Sequence, residues 1–146
     1  SLTGASISPE TKTFQVNYFQ NNSTLIEPGI DRDFTNKLID LLINQTSLDL
    51  VKSNGDLLYE GEIVEYRIAP TTATANNTAA QNRLTIGVNV RFYDKSDPDA
   101  EFEKRFSFYY DYPGSSQLIG SQKDTAVDEI FERITQDVFN ASLAKW

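Results

Sequence analysis

The hydrophobic positions of this chain change period along its length, and the changes mark out its elements. Between 82 and 94, Leu84, Ile86, Val88, Val90 and Phe92 fall on every second residue, with Arg83, Thr85, Gly87, Asn89, Arg91 and Tyr93 among them. A period of two puts alternate side chains on opposite faces of a strand. One face is then apolar and the other largely polar, as in an antiparallel sheet covered on one side; a strand enclosed by two helix layers would read as an almost continuous apolar run. Two segments rich in β-branched and aromatic residues, 56–69 and 101–112, flank this strand and are predicted to complete the centre of the sheet. In the second of them Phe102, Phe106, Phe108 and Tyr110 share a face. In the first the phase slips, from Leu57, Tyr59, Gly61 and Ile63 to Val64, Tyr66 and Ile68, and Gly61 is the expected bulge.

Toward the N-terminus, Phe14, Val16 and Tyr18 predict a short half-buried strand over 13–19. Phe34, Leu38, Leu41 and Leu42 recur at helical spacing, so a helix is expected over 31–45 with Asp31 as its cap. Residues 48–52 read as a brief second strand, and Asn54-Gly55 after it as a tight hairpin. Near the C-terminus, Val127, Ile130, Phe131, Ile134, Val138 and Phe139 predict a helix over 124–144, opened by Asp124 or by Thr125 with Asp128. Leu118 and Ile119, in the connection before it, are candidates to pack back on the core. The resulting order is β-α-β-β-β-β-α. The first helix serves as a crossover that should set the first two strands parallel. The expected fold is an α/β two-layer sandwich, a mixed, mostly antiparallel sheet with two helices on one face. Residues 1–11 read as a tether and 12–146 as a single domain. The Ala/Thr/Asn segment 71–81 is too long for a simple hairpin loop and too poor in large apolar residues to build core, and is expected to be mobile or ordered by a partner.

Composition narrows the function. The 146 residues, 39% of them hydrophobic, suffice for one core. A net charge of −8 argues against duplex nucleic acid as the main partner, because phosphate binding needs a basic stripe. There is no Cys and no His, which removes thiol and imidazole chemistry and nearly all zinc sites. There is no Met either, so the natural start is expected upstream.

Candidate chemistry is sparse. Glu60, Glu62 and Glu65 share one strand and could serve as paired acids, but alternate exposed glutamates are also the ordinary pattern of a solvated sheet surface. Asp94, Asp97, Asp99 and Glu101 surround a turn without the calcium-loop spacing. The Asn-x-Ser/Thr sequons are what an Asn- and Thr-rich chain produces by chance. Arg83, Arg91 and Arg105 lie opposite the apolar positions of their strands. They either form an exposed basic patch or pair with Glu103, Glu62 or Glu60 across strands, the second reading being preferred. No catalytic, cofactor or metal residue is assigned.

Four stretches together resemble one family. These are LLYEGEIVEYRIAP at 57–70, TAAQNRLTIGVNVRF at 78–92, the lead-in SLTGASISPETKTFQVNYF at 1–19 and the ending DEIFERITQDVFNASLAKW at 128–146. Their order and spacing resemble the lipopolysaccharide-assembly lipoprotein family LptE. The resemblance implies an outer-membrane lipoprotein on the periplasmic side, anchored by acyl chains on a cysteine absent from this sequence. It further implies that the protein plugs and helps to assemble an LptD-like β-barrel and assists delivery of lipopolysaccharide, without catalysing a reaction. Barrel lumens are polar, so Thr72, Asn76 and Asn77 are expected at the barrel contact, and any lipopolysaccharide phosphates near Arg83, Arg91 and Arg105. The alternative is a secreted cystatin- or NTF2-like sandwich acting as a small-ligand binder or enzyme, which would show a deep apolar pocket beneath a curved sheet.

Overall fold

The computed structural model describes residues 6–71 and 80–144. Its elements are β1 (Thr13–Val16), β2 (Gln20–Asn21), α1 (Ile30–Gln45), β3 (Asp49–Leu50), β4 (Leu57–Pro70), β5 (Gln81–Asp94), a 3-10 turn (Pro98–Ala100), β6 (Phe102–Pro113) and α2 (Gly120–Leu143). The strands form one sheet in the order β3-β1-β4-β5-β6, with β2 also paired to β4. The long pairs β4–β5 and β5–β6 are antiparallel, and the short ones, β1–β3, β1–β4 and β2–β4, are parallel. This is the α/β sandwich that the periodicity predicts.

Leu84, Ile86, Val88, Val90 and Phe92 are all fully buried on the inner face of β5. Both helices cover that face. Phe34 of α1 meets Phe131 of α2 edge-on at 5.1 Å between ring centroids, and Phe19 adds a second edge contact to Phe34 at 5.0 Å. Phe34, Leu38 and Leu42 of α1 and Val127, Ile130, Phe131, Ile134, Val138 and Phe139 of α2 are buried in one core, as their spacing requires.

Four local expectations are corrected. The strand expected over 13–19 ends at Val16, and a separate short strand, β2, follows beyond it at Gln20–Asn21, because the Phe19 N–H turns from the sheet to the Thr35 hydroxyl, at 3.0 Å, and the Phe19 ring enters the core. The slip in β4 is real, but the register shifts between Ile63 and Glu65. Gly61 instead stays in register at φ +156°, where an added Cβ would lie 1.9 Å from the Asn89 carbonyl oxygen. Asn54 does turn, at φ 55°, yet no hairpin forms, since β3 and β4 lie on either side of β1 and parallel to it. The Asp56 carboxylate holds this crossing by accepting from the backbone N–H groups of Lys12 and Thr13, at 2.8 and 3.1 Å. Finally, α1 begins at Ile30 after Gly29 in the left-handed region, and α2 at Gly120 after Ile119, so Asp31, Asp124 and Thr125 lie inside helices rather than at caps.

The lead-in from residue 6 is attached to the domain. Ser6 donates to the Leu143 carbonyl at 2.6 Å, Ile7 packs on the core and Thr11 is buried. Leu118 also packs back, whereas Ile119 is exposed. Most of the segment 71–81 lies outside the described residues.

Candidate functional site

The outer face of the sheet carries the charged residues singled out by the sequence, and they form a network. Arg91, at the middle of β5, sits directly opposite Glu60 on β4 and Glu103 on β6. Its Nε donates to Glu60 at 2.9 Å, and its two Nη groups bind Glu62 in a fork at 3.0 and 2.9 Å, with Glu103 at 3.4 Å. Asn89 ties Glu62 to Glu103 through one amide nitrogen, at 3.3 and 2.8 Å. A planar guanidinium with five donors is suited to such a cluster. The hydrogen bonds from Arg91 hold the Glu62 carboxyl below the usual glutamate range, and the same carboxylates raise Arg91.

Arg105 on β6 reaches across β5 to Glu65 on β4, at 2.7 Å. The path is open because Gly87 stands between them: an added Cβ there would lie 2.9 Å from the Arg105 guanidinium. Arg67 binds the other oxygen of Glu65 at 3.0 Å. Burial alone would raise the Glu65 carboxyl, but the two arginines outweigh it and lower it. Arg83 forks onto Asp111 at 2.7 and 3.0 Å, with its guanidinium carbon 3.9 Å from the Tyr109 ring centroid. The structure thus brings Arg83, Arg91 and Arg105 to one face and pairs each with a carboxylate. Four arginines meet five carboxylates there, so the face is a neutralised lattice and not a basic patch. Thr72, Asn76 and Asn77 lie outside the described residues.

Glu60 and Glu62 converge on one guanidinium, not across a cleft. Asp94 accepts from the Ser96 N–H and hydroxyl, both at 2.9 Å, which is local turn chemistry. Among the described residues no group of three acidic side chains is placed to hold a metal ion.

A second feature is a cavity of about 370 Å³ between α1 and α2, floored by Ile30, Val127 and Phe131 and rimmed by Asp33, Asp40 and Asp124. Lys37 crosses it to Asp128 and Glu132, at 2.6 and 3.1 Å, and Lys123 pairs with Glu27. Sequence reasoning misses this groove because its rim residues lie on the polar sides of two helices distant along the chain, and only the packing of the helices brings them together. The space between sheet and helices, where a cystatin- or NTF2-like binder keeps its ligand, is filled by the side chains of the core.

The fold defines a small two-layer sandwich with an ion-paired outer sheet face. A family model, LptE: Lipopolysaccharide-assembly, matches residues 11–142, and the chain belongs to that family. Comparison with curated protein sequences finds no match. Among solved structures, the hypothetical protein CT253 from Chlamydia trachomatis is similar at 13% identity and a TM-score of 0.58, over 92% of this chain and 99% of that one. The PelC dodecamer from Paraburkholderia phytofirmans is similar at 10% identity and a TM-score of 0.54, over 97% and 93%. At such identities the likeness establishes the fold alone.

Proposed function

We propose that this protein is a lipid-anchored component of the outer membrane, facing the periplasm, that plugs an LptD-like β-barrel, supports its assembly and assists delivery of lipopolysaccharide to the cell surface. The observation that carries the reading is the family match across residues 11–142, nearly the whole chain. The geometry is compatible with it, since a barrel lumen is polar and water-filled and the outer sheet face offers paired charges. No helix among the described residues is long and apolar enough to cross a membrane. Attachment in this reading comes from acyl chains on a cysteine upstream of Ser1, and two chains are sufficient.

In this reading no reaction is catalysed. Thr72, Asn76 and Asn77 contact the barrel, and lipopolysaccharide phosphates are received at Arg83, Arg91 and Arg105. Each of those arginines is already held by a carboxylate, so a phosphate binds by exchange, most readily at Arg105, whose side chain is 53% exposed. Raising salt should weaken that binding. The test is to purify the full-length lipidated protein from membranes and score recovery of the barrel, with 72–77 shortened in one variant and Arg91 and Arg105 changed to Ala in another. Barrel recovery should fall in the first and lipopolysaccharide binding in the second. Unchanged recovery removes the loop from the interface, and unchanged lipid binding removes the arginines.

A further inference from the structure

The longest open hydrogen-bonding surface of the described molecule is the free side of β6. The sheet order leaves β6 at one edge, while the other edge strand, β3, has two residues. One bond identifies the free groups: Gly114 donates its N–H to the Ala80 carbonyl at 2.9 Å. That pairing has the same register as Gln81 with Pro113, which continues without a shift to Phe92 with Phe102. In an antiparallel pair a residue points its N–H and C=O to the same side, and successive residues alternate. The even-numbered residues from Phe102 to Tyr112 therefore bond β5, and Glu103, Arg105, Ser107, Tyr109 and Asp111 turn their backbone groups outward. Pro113 takes the next outward position, where its missing N–H does not weaken the internal ladder.

Edge strands of this length are normally blunted by charge, proline, a bulge or cover. On β6 the charge is concentrated in Glu103, Lys104 and Arg105. From Phe106 to Tyr112 the single charge is Asp111, which Arg83 neutralises. Beside the edge lies an open depression of about 560 Å³, between 104–107 of β6 and Asp137, Asn140 and Ala141 of α2. Lys104 opens onto it. Its Nζ lies 5.1 Å from the Phe106 ring centroid, and no ion pair to it is found among the described residues.

We propose that this slot receives an extended segment of the barrel partner, added to β6 as a further strand and placing an acidic side chain against Lys104. This rests on the reading of the previous subsection. Backbone donors and acceptors spaced along a strand are matched by another strand, and such addition is an established mode of peptide recognition. Charge and shape favour a bare segment over a second copy of this chain. Two copies would each carry a net charge of −8. Each would also bring its own α2 to the same edge, where the Arg133 guanidinium already lies 4.6 Å from the Phe108 ring centroid.

The test uses the full-length lipidated protein co-expressed with the LptD-like barrel of the same genome. Ser107→Pro removes an outward N–H that the internal ladder does not use, and Lys104→Glu reverses the unpaired charge. Barrel recovery should fall at least tenfold for the first and several-fold for the second. A photo-crosslinking residue in place of Ser107 should capture the barrel, whereas one in place of Thr85, on the neighbouring strand, should not. If Ser107→Pro fails to fold, the Lys104 variant and the crosslink decide. Full recovery with folded variants, or a crosslink from Ser107 to a second copy of this chain, overturns the proposal and leaves the barrel reading standing. Failure of the unmodified protein to recover any barrel overturns both.

Discussion

The hydroxyl groups of Tyr59 and Ser142 lie 2.8 Å apart inside the apolar core, joining β4 to the last turn of α2. Ser142 spends its proton on the Val138 carbonyl, also at 2.8 Å, so Tyr59 is the donor and Ser142 the acceptor. The two truncations should therefore differ. Tyr59→Phe removes the donor and leaves Ser142 bonded to its own helix, at a cost of about 1 kcal/mol. Ser142→Ala strands a buried phenol without a partner and should cost about 1–3 kcal/mol. Urea unfolding of both variants checks the order, and a larger loss for Tyr59→Phe would reverse the assignment of donor and acceptor.

Gly61 should tolerate no side chain. Its φ of +156° is unfavourable for any other residue, and the ideal Cβ position falls 1.9 Å from the Asn89 carbonyl oxygen and 2.9 Å from the Phe19 ring. The neighbouring strand and the core both lie in the way. Gly61→Ala should cost on the order of 3 kcal/mol or more, read from thermal or denaturant unfolding. A variant as stable as the parent would mean that β4 can shift its register here.

The elements legible in the sequence are those whose period arises from a single buried face. The alternation of β5 and the stripes of α1 and α2 were set by contact with one shared core, and the residues they predict as inner are buried, except Leu41, which is partly buried at its edge. What escaped depends on contacts between distant segments. Asn54-Gly55 is a turn by local chemistry, but whether the strands around it pair is decided by the hold of Asp56 on Lys12 and Thr13, more than 40 residues away. α2 starts at Gly120, ahead of the Asp124 and Thr125 that local capping chemistry singles out, and no side-chain cap marks that start. The arginine network was half legible: strand phase puts Arg91 and Glu60 on one face, and the cross-strand register makes them neighbours. The partner of Arg105 was not foreseen, since it lies two strands away over a glycine.

That glycine gives a third prediction. Gly87→Ala places a methyl group where the Arg105 guanidinium now lies, and the guanidinium, at the end of a flexible side chain, can move aside. Stability should change by less than about 1 kcal/mol, as for most partly exposed ion pairs. Glu65 loses one of its two arginines, so its carboxyl should titrate at higher pH than in the parent. Nuclear magnetic resonance titration of the glutamate carboxyls measures this, and an unmoved Glu65 would mean that the Arg67 contact alone holds it.

Stability should fall at both ends of the pH scale, for opposite reasons. Glu62 and Asp111 are held below their ordinary values chiefly by hydrogen bonds from Arg91 and Arg83, and Glu65 is lowered by Arg67 and Arg105 against its partial burial. A carboxyl lowered in the folded state contributes stability above its unfolded value, near 4, and that contribution is lost as pH falls through the folded value. At the alkaline end Tyr59 is raised by burial, and Tyr66 is pushed up to about 12, mainly by burial with Glu27 adding to it. A phenol raised in the folded state contributes stability below its unfolded value, near 10, and loses it between about pH 10 and 12 for Tyr66. The unfolding midpoint in urea should therefore be nearly flat from about pH 5 to 9 and decline on either side. Arg91→Met should remove part of the acid limb, because Glu62 then loses the hydrogen bonds that lower it, and should leave the alkaline limb in place. An acid limb unchanged by Arg91→Met would mean that Arg91 does not set the titration of Glu62, and that the acid sensitivity arises elsewhere in the network.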